Sequence, residues 1–120
     1  MTRQLLGAWG EAQAAAYLER KGYRIISEGY RSRYGEIDLI AADTRFVAFI
    51  EVKTRKNAGF AEAREFVAGR KIGRIRQTAE LWLTVHESEL QPRFDVIEIY
   101  APQGVETQKP NIIHLEDAFQ

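Results

Sequence analysis

The chain has 120 residues, enough for one domain with a single hydrophobic core but not for two. It contains no cysteine, which excludes disulfide frameworks, thiolate zinc sites and cysteine nucleophiles. No apolar run reaches membrane-spanning length, and the N-terminus lacks the pattern of a signal peptide. The composition therefore predicts a cytoplasmic protein with no membrane partner.

The formal net charge is zero, but the charges are unevenly distributed. Residues 1–76 contain 15 Lys and Arg against 9 Asp and Glu, a balance of +6, and residues 77–120 contain 2 against 8, a balance of −6. The basic residues fall mainly into three runs, at 20–33, 53–56 and 70–76. One such run is usually a solvated surface, whereas three together are typical of a protein that binds a phosphate backbone. The distribution favours a polyanion ligand.

The first predicted element is a helix from about Arg3 to Lys21, in which apolar residues recur at helical spacing at Leu5, Trp9, Ala12 and Ala16. Gly7 and Gly10 lower its helix propensity, so we expect both to allow close packing against a sheet. Glu11 lies beside the apolar stripe, and it either leans over the sheet edge or faces solvent. Trp9 and the later Trp82 sit on apolar stripes and are predicted to be packing residues.

A short strand is predicted at Tyr23–Ile26, followed by a basic connection from Ser27 to Arg33. Tyr30 and Tyr34 lie in or beside this connection, where they are candidates for stacking on unpaired bases.

Residues 35–55 then form two predicted strands, joined by a tight turn at Ala42-Asp43-Thr44. Alternation along a strand places Glu36, Asp38 and Ile40 on one face, and Ile37, Leu39 and Ala41 on the other. On the second strand it places Phe49, Glu51 and Lys53 on one face, opposite Ile50 and Val52. Asp38 and Glu51 are therefore carboxylates within apolar strands, and buried carboxylates need a cation. Lys53 supplies part of that need, and a divalent metal ion could supply the rest.

The remaining elements are a polar loop at residues 57–65 and a helix from about Phe66 to His86, with a later start as the alternative because Gly69 and Gly73 weaken its first turns. Pro92 is expected to interrupt the chain before a strand at Phe94–Ala101. A loop follows, and a short edge strand is predicted at Ile112–Leu115. His86 and His114 lack zinc-ligand spacing and are predicted to lie on the surface.

The element order α-β-β-β-α-β-(β) predicts an α/β fold with one mixed sheet flanked by helices. The predicted domain is 1–120, with its core at about 3–101 and a C-terminal tail at 102–120 that contains the edge strand.

The acidic residues of the two strands carry the functional argument. Adjacent strands lie roughly 5 Å apart, so Asp38 and Glu51 can bind one ion, and hard oxygen ligands suit Mg²⁺ or Mn²⁺. A lysine beside such an ion can orient an attacking water and stabilise charge on a phosphoryl group. Two carboxylates and one lysine in a basic groove indicate phosphodiester hydrolysis. The alternative is a structural salt bridge of Asp38 or Glu51 with Lys53, and the residues alone do not decide between the two.

Asp38, twelve intervening residues and then Glu51-Val52-Lys53 resemble the core motif of the PD-(D/E)xK nuclease superfamily, which includes restriction enzymes and archaeal Holliday junction resolvases. The chain from about Gly10 to Tyr100 resembles, more narrowly, the YraN-type bacterial proteins, which are predicted endonucleases. The segments that carry this resemblance are Gly10-Glu11, Gly22-Tyr23, 35–41, 49–55, Val67 with Lys71, and 93–96.

The resemblance implies a restriction-endonuclease-like α-β-β-β-α-β core and a Mg- or Mn-dependent endonuclease acting on DNA rather than RNA, with branched or other non-duplex DNA as the expected substrate. It implies Asp38 and Glu51 as catalytic metal ligands, the Val52 carbonyl as a third ligand, and Lys53 as the catalytic lysine. Glu11, by analogy with the resolvases, and Glu36 are further candidate ligands.

Nucleic-acid binding is assigned to Arg31, Arg33, Tyr34, Arg55, Lys56, Lys71 and Arg74. For Arg55 and Lys71, pairing with acidic neighbours such as Glu51 and Glu65 is the alternative. A catalytically inactive nucleic-acid-binding or adaptor module and a protein-interaction domain are the other functions considered. A homodimer and a monomer both agree with one site per chain.

Overall fold

The computed structural model describes residues 2–56 and 69–119 of the chain. They form two helices, α1 (Arg3–Arg20) and α2 (Gly69–Val85), and five strands: β1 (Arg24–Ser32), β2 (Gly35–Ala42), β3 (Phe46–Arg55), β4 (Gln91–Tyr100) and β5 (Asn111–Leu115). A short 3-10 helix at Gly104–Glu106 connects the last two strands. None of the described helices is both long and apolar enough to cross a membrane.

The strands form one mixed sheet in the order β1-β2-β3-β4-β5. Only β3 and β4 are parallel, and their register runs without interruption from Phe46↔Gln91 to Arg55↔Tyr100. The other neighbouring strands pair antiparallel. This architecture confirms the predicted α/β fold and mixed sheet, including the short edge strand near the C-terminus.

Each helix covers one face of the sheet. The α1-side core is formed by Ala14, Ala15 and Leu18 against residues that include Leu39, Ala41, Ile50, Ile97 and Ile99, and Trp9 packs at its margin. The α2-side core contains Ile37, Ile40, Val47, Phe49, Ile75, Ala79 and Trp82. Both tryptophans therefore pack against the sheet, as predicted.

Close packing explains one of the two helical glycines and not the other. A Cβ added at Gly10 would lie 1.8 Å from the hydroxyl oxygen of Thr54 on β3, whereas a Cβ added at Gly7 would have no neighbour within 4 Å. The prediction is thus right for Gly10 and wrong for Gly7, which faces open space.

We expect Gly10→Ala to lower the free energy of unfolding by about 1–3 kcal/mol, because the new methyl group forces α1 away from β3. Gly7→Ala is the matched control, and it should raise the stability by up to ~1 kcal/mol through helix propensity alone. Urea unfolding of both variants measures the difference. Equal stability changes in the two variants would contradict the close approach of α1 to Thr54.

The predicted basic connection at residues 27–33 is wrong, because β1 continues through Ser32 and pairs with β2 as far as Ser32↔Gly35. A register shift between Ile25 and Ser27 marks a bulge in this edge strand. The pairing with β2 compensates for the weak strand propensity of this polar segment.

Pro92 does not interrupt the chain, since it lies inside β4 opposite Val47 of β3. The neighbouring Gln91 amide donates to the Arg45 carbonyl at 3.0 Å, and β5 pairs with β4 only from Val96 onward. Proline is tolerated where no ladder bond requires its missing amide hydrogen.

The simple alternation predicted for β2 is wrong at Ile37, which packs in the α2-side core together with Ile40 rather than with Leu39 and Ala41. The change coincides with the position where β2 stops pairing with β3. The predicted polar loop and the first residues of the predicted second helix fall in 57–68, outside the described residues.

Candidate functional site

The site lies where β2 and β3 separate. Their ladder extends from Ala42↔Val47 to Leu39↔Ile50 and ends there. One residue beyond it, the Asp38 carboxylate accepts a hydrogen bond from the Val52 amide at 2.8 Å. A side chain thus takes the place of a backbone ladder bond, and this places the Asp38 carboxylate beside the Glu51-Val52-Lys53 segment.

Asp38 and Glu51 line one cavity of about 430 Å³ on the α2 side of the sheet, together with Gly35, Glu36, Lys71, Arg74 and Ile75. Glu51 is a buried carboxylate at 8% exposure, and its Oε1 accepts a short hydrogen bond from the Lys71 ammonium. Two acidic side chains from separate strands therefore meet in an opening that also presents cationic groups of α2.

The pKa of Asp38 is raised from 3.8 to about 7, first by burial and then by the negative charge of Glu51, against the hydrogen bond from the Val52 amide that lowers it. The second carboxylate can therefore ionise fully near neutral pH only if positive charge enters the cavity. An ammonium group or a metal ion would each meet that requirement.

Lys53 follows Glu51 by two residues on β3. Its pKa is lowered, first by burial and then by the charge of Lys71, while Glu51 and Asp38 act in the opposite direction. Within the described residues, the ion-pair partner of Glu51 is Lys71, and Lys53 forms no ion pair with Glu51 or Asp38. The alternative considered from the sequence, a structural salt bridge of Lys53 with either carboxylate, is not found among the described residues, where the ammonium on Glu51 comes from Lys71 of α2.

Glu36 and Glu11, the two further candidate ligands, lie around the carboxylate pair formed by Asp38 and Glu51. Glu36 is exposed and pairs with Arg31, with 3.4 Å between Oε2 and Nε. Glu11 lines a second cavity, on the α1 side, beside Val52 and other residues. Burial raises the pKa of Glu11, and so do the charges of Glu36, Glu51 and Glu28. Across the described ranges, no three acidic or histidine side chains stand close enough to hold a metal ion by themselves.

The turn between β1 and β2 is fixed against α2, beside the cavity that Gly35 and Arg74 line. The Ser32 and Thr78 hydroxyls lie 2.8 Å apart, and the Thr78 hydroxyl donates to the Arg74 carbonyl at 2.9 Å. These bonds hold the turn against α2, so that exposed Arg33 and Arg74 border one surface.

The predicted nucleic-acid-binding residues differ in their surroundings. Arg31, Arg33, Lys56, Lys71 and Arg74 are exposed, and Tyr34 and Arg55 are half-buried. The guanidinium of Arg33 lies over the Tyr34 ring, 4.9 Å from its centroid, and donates to the hydroxyl. Tyr30 packs against the α2-side core. Lys71 forms an ion pair with Glu51, one of the two acidic neighbours that the sequence analysis considered as its partners.

A second charged cluster was missed from the sequence. Asp95 is fully buried and accepts hydrogen bonds from Nε and Nη2 of Arg93, from Nε2 of His114 and from the Asp117 amide, at 2.8–3.0 Å. Arg93 also donates to the Tyr23 hydroxyl at 2.6 Å. The prediction that His114 is a surface residue is wrong, because its side chain is only 3% exposed. Arg93 and Asp95 are two residues apart on one strand, and this spacing was the available signal.

The family model described as "Uncharacterised protein family UPF0102" matches residues 10–99 of the chain. Three relatives are called UPF0102 proteins. The one from Nocardia farcinica is 43% identical over 118 residues, which cover 98% of this chain and 91% of the relative. The one from Mycobacterium tuberculosis H37Ra is 43% identical over 119 residues, covering 97% and 93%. The one from Rhodococcus opacus is 45% identical over 117 residues, covering 95% of each.

Proposed function

The chain belongs to the UPF0102 family, the YraN-type proteins that its sequence resembles, and on that premise we propose that it is a divalent-metal-dependent endonuclease acting on DNA. The observation that carries the proposal is the convergence of Asp38 and Glu51 at the separation of two strands, in an open cavity bordered by cationic side chains. Stability does not account for this pair, because burial and the negative charge of Glu51 both disfavour the ionised form of Asp38.

The donor set suits Mg²⁺ or Mn²⁺. Asp38 and Glu51 supply hard carboxylate oxygens, the Val52 carbonyl is the proposed third ligand, and Mg²⁺ completes its shell with water and substrate oxygens. A divalent ion held there would supply Lewis-acid activation of water and of the phosphodiester. It would also offset the repulsion that raises the pKa of Asp38.

The chain's own residues have separate tasks in this proposal. Asp38 and Glu51 would hold the ion in position, and the hydrogen bond from the Val52 amide fixes the direction of the Asp38 carboxylate. Lys53 is the catalytic lysine, which orients the attacking water and stabilises negative charge on the phosphoryl oxygens. Its lowered pKa makes proton exchange with water easier than for an exposed lysine.

The rim supplies the substrate contacts. Exposed Arg74 lines the cavity, and exposed Arg33 lies in the turn between β1 and β2, two residues before Gly35 of the cavity wall. Exposed Lys56 directly follows β3 and ends the basic run after Lys53 and Arg55. Such groups neutralise phosphates independently of base sequence. The acidic pair lies inside a cavity that basic groups border. A splayed or branched DNA strand can enter such a cavity, whereas a regular duplex is too stiff to bend into it.

The proposal is tested by incubating the full chain with branched, flapped and single-stranded DNA, in Mg²⁺, in Mn²⁺ and in EDTA. Cleavage is expected only with a divalent ion, and it should fall to background in Glu51→Ala and in Lys53→Ala. The matched controls are Glu19→Ala and Lys109→Ala, which remove exposed charges outside the cavity and should keep full activity. Cleavage that persists in the two site variants would contradict the proposal.

A second candidate is a catalytically inactive nucleic-acid-binding or adaptor module. The observation that favours it is the Lys71–Glu51 pair, which already neutralises one of the two carboxylates. Salt-sensitive DNA binding without metal uptake or cleavage would establish this second function.

A further inference from the structure

The ammonium of Lys71 occupies a position where the proposed function needs a metal ion. It contacts Oε1 of Glu51, one of the two carboxylates assigned to the ion. Both side chains line the same cavity, with Asp38 on the other strand. The sequence assigns Lys71 to nucleic-acid binding, with an acidic partner such as Glu51 as the alternative, and the structure contains the pair with Glu51.

The two partners of this ion pair differ in accessibility. The Glu51 side chain is 9% exposed, whereas that of Lys71 is 47% exposed. A buried carboxylate needs a cation at all times, but a half-exposed ammonium on a flexible chain is readily hydrated by water when it leaves. Lys71 is therefore the partner that can move, because water hydrates its ammonium group when that group leaves Glu51.

The charge balance of the site points in the same direction. When ionised, Asp38 and Glu51 carry two negative charges, and Lys53 and Lys71 carry two positive ones. A divalent ion added to this set gives an excess of two positive charges, and like charges at close range repel strongly in a partly buried site. Lys53 is fixed to the central strand β3, whereas Lys71 lies in the first turn of α2 at the cavity rim.

Arg74 lies one helical turn after Lys71 and lines the same cavity. An ammonium that leaves Glu51 would thus remain beside a guanidinium, at the edge where a substrate phosphate would enter. An ammonium and a guanidinium can both donate charge-assisted hydrogen bonds to the oxygens of a phosphate.

We propose that Lys71 is an exchangeable counter-ion, which neutralises Glu51 in the metal-free protein and is displaced by the divalent ion towards a substrate phosphate beside Arg74. This inference rests on the proposed function, since it requires that Asp38 and Glu51 bind the ion. It assigns Lys71 as a positioning residue that couples metal binding to substrate binding.

The test is Mn²⁺ binding by isothermal titration calorimetry to the full chain without DNA. Lys71→Met should bind Mn²⁺ roughly tenfold more tightly than the wild type, because the ion no longer competes with an ammonium. Lys71→Gln, which keeps a polar side chain but removes the positive charge, should show the same gain. Arg70→Met is the matched control on the adjacent, exposed position, and its Mn²⁺ affinity should stay unchanged.

The affinity for DNA, measured in Ca²⁺, should change in the direction opposite to the affinity for Mn²⁺. Both Lys71 variants should bind branched DNA several-fold more weakly, with the salt slope reduced by about one. A purely structural role for Lys71 would weaken Mn²⁺ binding as well as DNA binding, and that result would overturn the inference.

The outcomes separate this inference from the proposed function. If the wild type binds Mn²⁺ and cleaves DNA while Lys71→Met has unchanged or weaker Mn²⁺ affinity, the counter-ion role is wrong and the nuclease assignment stands. If neither the wild type nor Lys71→Met binds Mn²⁺, both are wrong.

Discussion

Replacement of Asp38 by asparagine should raise the free energy of unfolding by about 2–4 kcal/mol at pH 8 in EDTA. The physical reason is that burial and the charge of Glu51 raise the pKa of Asp38 to about 7, so that an ionised carboxylate is unfavourable in the folded protein. Asparagine keeps an oxygen to accept the Val52 amide and brings an amide that can donate to Glu51. The expected rise in melting temperature is on the order of 10 °C.

The sign of the pH dependence follows from the direction of the shift. The pKa of Asp38 is raised from 3.8 to about 7 on folding, so the folded protein holds the proton after the unfolded chain has lost it. The wild type should therefore lose stability as the pH rises from about 4 to about 7, and lose no more from this group above pH 7. At pH 4 the asparagine variant and the wild type should be about equally stable.

Urea unfolding at pH 4, 6 and 8 measures this difference, with exposed Glu36→Gln as the control for removal of a nearby charge. Addition of Mn²⁺ should stabilise the wild type and leave the asparagine variant nearly unchanged. An asparagine variant less stable than the wild type at pH 8 would mean that the Asp38 charge is already neutralised in the folded protein.

Replacement of Asp95 by asparagine should lower the free energy of unfolding by about 3–5 kcal/mol. Burial alone would raise the pKa of Asp95, but hydrogen bonds from His114, Arg93 and the Asp117 amide hold the pKa below its usual value. The neutral amide would leave the buried Arg93 guanidinium with the more distant Glu116 carboxylate, 3.7 Å away, in place of its close ion pair with Asp95. It would also break the links from β4 to β5 and to the residues that follow β5.

Thermal and urea unfolding of Asp95→Asn measure the loss. Because the pKa of Asp95 is lowered on folding, its contribution is fully present above the unfolded value near 4 and is lost as the pH falls through the lower folded value. Tyr17→Phe is the control at the edge of the same cluster, where a 3.3 Å hydrogen bond to His114 should be worth below ~1 kcal/mol. A similar loss in both variants would contradict a central role for the Asp95 charge.

Local sequence patterns predicted the parts of the fold that depend on neighbours in the chain. The turn around Asp43 is an example, because its carboxylate accepts from the Arg45 and Phe46 amides, both at 2.8 Å. The placement of Asp38 beside Glu51 also follows from strand spacing. The length of β1 did not, since its polar residues are held by pairing with β2 rather than by their own propensity.

The missed features depend on contacts between distant segments. His114 is buried because Asp95, on another strand, accepts from it and because Tyr17 on α1 meets its ring. The partner of Glu51 proved to be Lys71, twenty residues away on α2, rather than Lys53 on the same strand. No periodicity indicates which of several cations reaches a given carboxylate, because this depends on the orientation of a helix that the local sequence does not encode.

The continuous parallel pairing of β3 with β4 has a consequence for how a bulky substrate could be admitted. Every residue of β3 pairs with a residue of β4, so pairing along its whole length holds in place the strand that carries Glu51 and Lys53. On the opposite wall of the cavity, β2 has no ladder bonds to β3 beyond Leu39, while it still pairs with β1 as far as Gly35, and the Ser32 hydroxyl of this hairpin contacts the Thr78 hydroxyl of α2. A bulky substrate that needs a wider opening would therefore have to displace the hairpin of β1 and β2, because β3 is paired with β4 along its whole length.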